Sequence, residues 1–229
     1  MYRRYGMSGK AARPLIWVPI VHTQADLGSI RQPIEALYTR RVGREQWHRH
    51  VETVGKLWRA IRQAIELLDL DYRRVRLYQD GLPDCGKELA IVRDLARAGS
   101  QNHQLLLDLV EKGAHLTGTE SPRLLMEEYA VLRQMLESLD GERAGVLAQR
   151  HRERSAAILK ERDRYIARRI SGTLRPQETG LIFLGMLHSL EGLLPASIRL
   201  TVLGGRALSC PGRGRPRQTD REVGTDAEG

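Results

Sequence analysis

Apolar and polar positions along the chain follow two periods, one typical of buried strands and one typical of amphipathic helices. Short apolar runs bounded by turn residues predict five strands, and apolar residues recur every three or four positions in the longer stretches between them. The predicted strands are Leu15–Val21, Arg74–Gln79, Ala114–Thr119, Gly180–Leu187 and Ile198–Leu203. Strands that alternate with helices predict one α/β domain, with a mostly parallel five-stranded sheet flanked by long helices.

The most regular helical pattern lies between residues 47 and 68. Its apolar residues are spaced alternately four and three apart and form one stripe: Trp47, Val51, Val54, Trp58, Ile61, Ile65 and Leu68. The stripe has two interpretations, because it can pack on the sheet of its own chain or pair with a second copy as in a coiled coil. A homodimer is therefore one prediction of the sequence.

The other predicted helices also carry apolar faces. Residues 88–98 and 101–112 are predicted helices that each end at a glycine. A third begins after Ser121, with a stripe of Leu125, Tyr129, Leu132, Leu136 and Leu139. A long charged segment then runs to about residue 170, with an inner face of Ile158, Tyr165, Ile166 and Ile170.

Composition limits the domain organisation and the partners. The 229 residues are 41% hydrophobic, which is enough for one core, here assigned to residues 14–204. Residues 1–13 are predicted to be a basic flexible N-terminus, and residues 205–229 a disordered tail without an apolar pattern. The net charge is +9, but no motif of basic residues interleaved with aromatics is present, which argues against nucleic-acid binding. Nucleic-acid binding through the basic termini stays open as an alternative.

Cysteine usage and hydropathy indicate the compartment. Cys85 and Cys210 lie far apart in the sequence, which gives neither a disulfide framework nor a thiolate metal site and suits a reducing compartment. No segment approaches the ~20 apolar residues of a membrane span. The apolar run at Leu15 contains Pro19 and lacks a cleavage site for secretion. The sequence thus predicts a cytoplasmic protein with no membrane contact.

A polar residue that can do chemistry follows each of four predicted strands. His22 follows the first strand, Asp80 the second, Glu120 the third and His188 the fourth. In open α/β sheets, ligands bind in the crevice outside the carboxyl ends of the strands. We therefore expect these four side chains at one edge of the sheet.

Two imidazoles and two carboxylates suit two kinds of chemistry. A divalent metal ion held by His22, His188 and Asp80 would lower the pKa of a bound water. Alternatively, a histidine oriented by a carboxylate acts as a general base. Local roles compete with both, since Asp80 is a favoured turn residue before Gly81 and Glu120 suits the start of a helix.

Other candidate residues have weaker support. His103 lies in a polar helical stretch and is predicted to be a surface residue. Cys85 precedes a predicted helix whose N-terminus would lower a thiol pKa, but the sequence assigns it no partner. The chain has no Gly-x-Ser-x-Gly elbow, no Walker A loop and no Gly-x-Gly-x-x-Gly after a strand.

Residues 162–203 and 15–22 resemble the TraB/TIKI–ChaN–erythromycin-esterase-like superfamily. Arg162 and Asp163 match its Arg-Asp pair at the opening of a helix, and Gly185 and His188 match its Gly-x-x-His on a strand. The first strand keeps the histidine of a second such motif, His22, but has proline in place of the glycine.

This resemblance implies an α/β fold and a site of two histidines, a carboxylate and an arginine. Members of the superfamily are described as hydrolases, some of them metal-dependent, and ChaN-like members are linked to haem. On matching positions, His22 and His188 would be ligands or bases, Asp80 would assist them, and Arg162 would stabilise an anionic intermediate. The prediction is a hydrolase-like enzyme that acts on an unidentified small molecule or peptide, with or without the assistance of a metal ion. The alternative is a non-enzymatic small-ligand-binding or dimeric scaffold protein that uses the 47–68 stripe.

Overall fold

The computed structural model describes residues 12–21, 36, 39–40, 43–137 and 144–204. These residues form a single α/β domain with an all-parallel sheet, which confirms the predicted fold class. The strands are β1 (Arg13–Ile20), β2 (Val75–Gln79), β3 (His115–Leu116), β4 (Thr179–Gly185) and β5 (Ile198–Val202). The helices are α1 (Arg44–Glu66), α2 (Glu88–Arg97), α3 (Gln101–Glu111), α4 (Pro122–Glu137) and α5 (Ala144–Thr173).

The strand order in the sheet is β3-β2-β4-β1-β5. β4 is therefore central, with β2 on one side and β1 on the other. Gln79 pairs with Phe183, and Ile20 pairs with Gly185, so β1, β2 and β4 end close to the same level. The Asp80 N–H, just beyond β2, donates to the Phe183 carbonyl at 2.8 Å. This register aligns the residues that follow β2 and β4.

Alternate strand residues face two separate apolar layers, as the two-residue period of a strand requires. Leu77 and Phe183 belong to the layer that α1, α2 and α3 cover. Tyr78 and Ile182 belong to the layer that α5 covers, together with Ile166 and Ile170. The sheet is therefore buried on both faces, as is usual for parallel sheets.

The 47–68 stripe packs on the sheet of its own chain. Trp58 is 3% exposed and Ile65 is fully buried, and both lie in the same cluster as the strand residues of that layer. Val51 is the exception, since it is 41% exposed. Most of the apolar surface that the dimer interpretation needs is thus used within the chain.

Two predicted strands end two or more residues earlier in the structure. β3 has two residues instead of six, because the Thr119 side chain takes the place of a backbone hydrogen bond between the strands. Its hydroxyl accepts from the Gln79 N–H and donates to the Thr117 carbonyl. β4 ends at Gly185, where the His188 N–H donates to the Gly185 carbonyl at 3.2 Å and turns the chain. Met186 and Leu187, predicted to be strand residues, are exposed.

The stripe predicted for α4 is wrong in part. Among the residues of α4 whose burial is described, Leu124 and Val131 are buried, whereas Tyr129 is exposed. The reason is that α4 turns a polar residue, Glu128, toward α5, and Glu128 shares a face with Leu124 and Val131 at helical spacing. Leu139 lies outside the described residues.

His103 is buried, not at the surface as predicted. Ser100 caps α3 by accepting from the His103 N–H, and its hydroxyl also lies 2.7 Å from His103 Nδ1. The cap explains the burial, because it supplies a polar partner for the imidazole inside the core.

Several predictions fall outside the described residues. His22, residues 1–11 and residues 205–229 belong to this group. Among the helices of the described ranges, none combines the length and the apolar character needed to cross a membrane.

Two substitutions in the stripe test its packing. Ile65→Ala removes a fully buried side chain and is expected to lower the free energy of unfolding by about 2–5 kcal/mol. Val51→Ala, at the exposed position of the same stripe, is expected to change it by less than about 0.5 kcal/mol. Urea denaturation of both variants measures the difference. An equal cost at the two positions would mean that another surface covers Val51.

Candidate functional site

Four of the five predicted site residues lie together beyond the carboxyl ends of the strands. Asp80 follows β2, Glu120 follows β3 and His188 follows β4. Glu120 also forms an isolated parallel β-bridge with Pro83. Arg162 reaches them from the middle of α5, although the resemblance placed it at the opening of a helix. All four are at most 8% exposed. The fifth residue, His22, lies outside the described residues.

The Arg162 guanidinium is surrounded by carboxylates. Its Nε and one terminal nitrogen bind Glu120 in a bidentate pair at 2.9 and 2.5 Å. The same terminal nitrogen donates to Asp80 Oδ1 at 2.7 Å. The other donates to Glu128 of α4 at 2.5 Å. Arg162 therefore joins β2, the segment after β3, α4 and α5 at one point.

Burial and charge act in opposite directions in this group. Burial alone would lower the pKa of Arg162, but the hydrogen bonds and charges of Glu120, Asp80 and Glu128 raise it above its ordinary value. Burial raises the pKa of Glu120, against the effect of its hydrogen bonds from Arg162. Arg162 is consequently a fixed cation.

His188 is held between two aspartates. Its Nδ1 lies 2.6 Å from Asp163 Oδ1, and Asp163 Oδ2 accepts from the Ser189 N–H at 3.1 Å. On the other side, Nε2 lies 3.4 Å from Asp80 Oδ2. Nδ1 thus has a short hydrogen bond that fixes the ring, and Nε2 has only a long contact.

The two aspartates favour the charged form of His188. Burial lowers the pKa of His188, but hydrogen bonds to Asp163 and Asp80 and the charge of Asp80 raise it to about 9. Arg162 opposes this increase by repulsion. At neutral pH the side chain is therefore an imidazolium, whose two ring nitrogens are both donors.

Gly185 permits the contact between His188 and Asp80. Its N–H donates to Asp80 Oδ2 at 3.1 Å. A Cβ at this position would lie 3.1 Å from the same oxygen and 3.9 Å from the His188 ring. The absence of a side chain therefore lets the aspartate approach the backbone of β4.

The carboxylates and the imidazole also have the chemistry of a metal site. One donor atom each from Asp80, Glu120 and His188 lies within 4.8 Å of the others, which is close enough for ligands of one divalent ion. Arg162, however, already binds oxygens of both carboxylates. A divalent ion using those oxygens would have to displace a guanidinium cation.

The strand pattern does not predict three of the site residues. Arg162 and Asp163 enter only through the Arg-Asp pair of the resemblance, and Glu128 belongs to none of the predicted sites. The sequence does contain a signal for the burial of Glu128, because this residue lies four residues after Leu124 and three before Val131. A carboxylate between two apolar residues on one helical face indicates a buried partner of opposite charge.

The chain was compared with protein-family models, with curated proteins and with solved structures, and nothing matched. The resemblance to the TraB/TIKI–ChaN–erythromycin-esterase-like superfamily therefore remains a prediction from the sequence.

Neighbouring arginines in α5 test the buried cation. Arg162→Leu leaves three carboxylates without their common partner and is expected to lower the free energy of unfolding by about 3–5 kcal/mol. Arg164→Leu, two residues later at an exposed position, is expected to change it by less than about 0.5 kcal/mol. Chemical denaturation at pH 7 distinguishes them. Similar stabilities of the two variants would contradict the role of Arg162 as the organising charge.

Proposed function

We propose that this chain is a hydrolase-like enzyme in which the His188 imidazolium is the general acid. The observation that carries the proposal is the position of His188 between Asp163 and Asp80 beyond the end of β4. This is the edge where open α/β sheets bind their ligands. The reaction class, hydrolysis, is supported by the sequence resemblance.

The two ring nitrogens have different tasks in this proposal. Nδ1, 2.6 Å from Asp163, keeps its proton and fixes the ring plane. Nε2 is the atom that donates, because its contact with Asp80 at 3.4 Å is long and a leaving group can replace that contact. Water supplies the hydroxyl group, the Nε2 proton goes to the leaving oxygen or nitrogen, and the proton that the water loses returns to Nε2 and restores the acid. General acid catalysis of this type contributes about 10²–10⁴-fold to a rate.

Arg162 acts as a positioning residue in this scheme. The resemblance implies that it stabilises an anionic intermediate, but its nitrogens donate to Glu120, Asp80 and Glu128. A guanidinium engaged in this way holds Asp80 in place beside His188. It therefore supports the acid and does not contact the substrate.

Metal assistance is the second form of the proposed reaction. The grouping of Asp80, Glu120 and His188 favours it, and a bound divalent ion would supply an activated water there. Arg162 opposes it, because the same carboxylate oxygens already have a cation. We prefer the metal-free form for this reason.

Variants of two histidines test the general acid. In assays with a panel of nitrophenyl esters and peptide amides, His188→Gln is expected to reduce hydrolysis by about 10²–10⁴-fold. His48→Gln, at an exposed histidine of α1, should leave it unchanged. Since the acid is the protonated form, wild-type activity should fall as the pH rises through about 9, the pKa of His188. Wild-type hydrolysis no faster than that of His188→Gln would contradict the proposal.

The metal-free form makes a separate prediction. Purified wild-type protein is expected to hold no stoichiometric zinc or manganese, and chelators should leave its activity unchanged. Arg162→Met should bind Zn²⁺ more tightly than wild type, because the carboxylates of Asp80 and Glu120 are released. Calorimetric titration of both proteins measures this. Stoichiometric metal in wild type that is lost in Asp80→Asn would establish the metal-assisted form instead.

A further inference from the structure

A groove of about 280 Å³ lies between α1 and α3. These two helices cover the face of the sheet opposite to the one that α5 covers. The volume is slightly below the usual range of small-molecule pockets, which restricts a ligand to a few heavy atoms. The lining consists of three residues from each helix: Trp58, Arg59, Arg62, Gln101, Gln104 and Leu105.

Trp58 brings a buried donor without an acceptor to this groove. The residue is 3% exposed, and no group in the described part of the chain accepts a hydrogen bond from its indole N–H. Trp17 differs, since its indole N–H donates to the Leu184 carbonyl at 2.9 Å. A buried indole N–H usually has a partner, because an unpaired one has lost its hydrogen bonds to water without replacement. The Trp58 N–H is therefore a donor that a ligand in the groove can satisfy.

Two more groups with N–H donors converge beside Trp58. A Cβ placed at Gly55 would lie 3.7 Å from a terminal nitrogen of Arg59 and 3.7 Å from Nε2 of Gln101. The guanidinium of α1 and the amide of α3 thus meet over a position that has no side chain. Within the described ranges, neither group takes part in a hydrogen bond or in an ion pair within 4 Å. The groove therefore offers donors from three side chains.

The charged groups in and beside the groove leave one positive charge. Arg62 is paired with Asp108. Glu52, whose charge also acts on Arg59, is held by Lys56 at 2.9 Å. The charge of Arg59 remains after these two pairs. A ligand with one negative charge neutralises it, whereas a phosphate monoester, at about −1.5 to −2, exceeds it.

We propose that this groove binds a small carboxylate ion, which accepts hydrogen bonds from the Trp58 indole and the Arg59 guanidinium. The two oxygens of a carboxylate can accept from donors on different side chains, and its bond to a guanidinium is charge-assisted and therefore strong. Gln101 supplies a further donor. The ligand is a short free acid, because the volume excludes a long carbon chain. The site lies on the opposite face of the sheet from α5, and this inference does not depend on the proposed hydrolysis.

The indole N–H of Trp58 is a reporter of this ligand, and acetate is a suitable probe. In ¹H–¹⁵N NMR spectra of the full-length protein at constant ionic strength, acetate should shift the indole signal that is missing from the spectrum of Trp58→Phe. The shift should saturate with a Kd below about 10 mM. The Trp17 indole signal is the internal control and should stay in place, because that N–H already has an acceptor.

Two arginines of α1 provide matched variants. Arg59→Gln should weaken acetate binding about tenfold or more, as expected for the loss of a hydrogen bond between charged groups. Arg49→Gln, at an exposed arginine of the same helix that does not line the groove, should bind acetate as wild type does. Both substituted side chains are exposed, so neither change removes a residue of the core.

Acetamide and inorganic phosphate test the chemistry of the ligand. Acetamide has the shape of acetate without its charge, and an equal shift of the Trp58 signal by acetamide would overturn the role of Arg59. Tighter binding of phosphate than of acetate would overturn the carboxylate assignment. The site itself would be overturned by a Trp58 signal that does not saturate below about 10 mM acetate, by an equal shift of the Trp17 signal, or by equal binding in Arg59→Gln.

Discussion

The burial of Arg162 is the constraint on which the arrangement of this protein depends. A guanidinium 5% exposed is stable inside a protein only when carboxylates surround it closely. Those carboxylates come from different parts of the chain: Asp80 after β2, Glu120 after β3 and Glu128 on α4. Because each must reach one side chain of α5, the strand ends and both helices are fixed relative to one another.

The same cluster explains the charge of His188. Three carboxylates, those of Asp80, Glu120 and Glu128, bind the one guanidinium of Arg162, and a fourth, that of Asp163, contacts His188. One guanidinium does not balance them, and buried uncompensated charge is costly. Although burial lowers it, hydrogen bonds to Asp163 and Asp80 and the charge of Asp80 raise the pKa of His188, and the protonated imidazole supplies the second positive charge. The acid proton is thus a consequence of the ion pairs that also hold the fold.

The strand pattern predicted the fold class, and it placed Asp80, Glu120 and His188 at a common edge, because parallel strands necessarily end there. It did not predict the order β3-β2-β4-β1-β5, since periodicity within a strand contains no information about which strand becomes its neighbour. Nor did it find Glu128, because an interpretation based on apolar spacing treats a carboxylate as a solvent-facing residue. The α4 stripe was misplaced for this same reason.

The long α5 helix shows why charged residues need a different kind of argument from apolar ones. Its buried face includes Ile166 and Ile170, which spacing predicts, and also Arg162 and Asp163, which spacing alone would assign to solvent. Both charged residues are buried because a complementary partner lies at the sheet edge: Asp80 for Arg162 and His188 for Asp163. Complementary charges at the ends of strands and on the helix that covers them are therefore a second criterion for buried positions, to be applied beside apolar spacing. In this chain, that criterion identifies Arg162 and Asp163 of α5 as partners of Asp80 and His188 at the edge of the sheet.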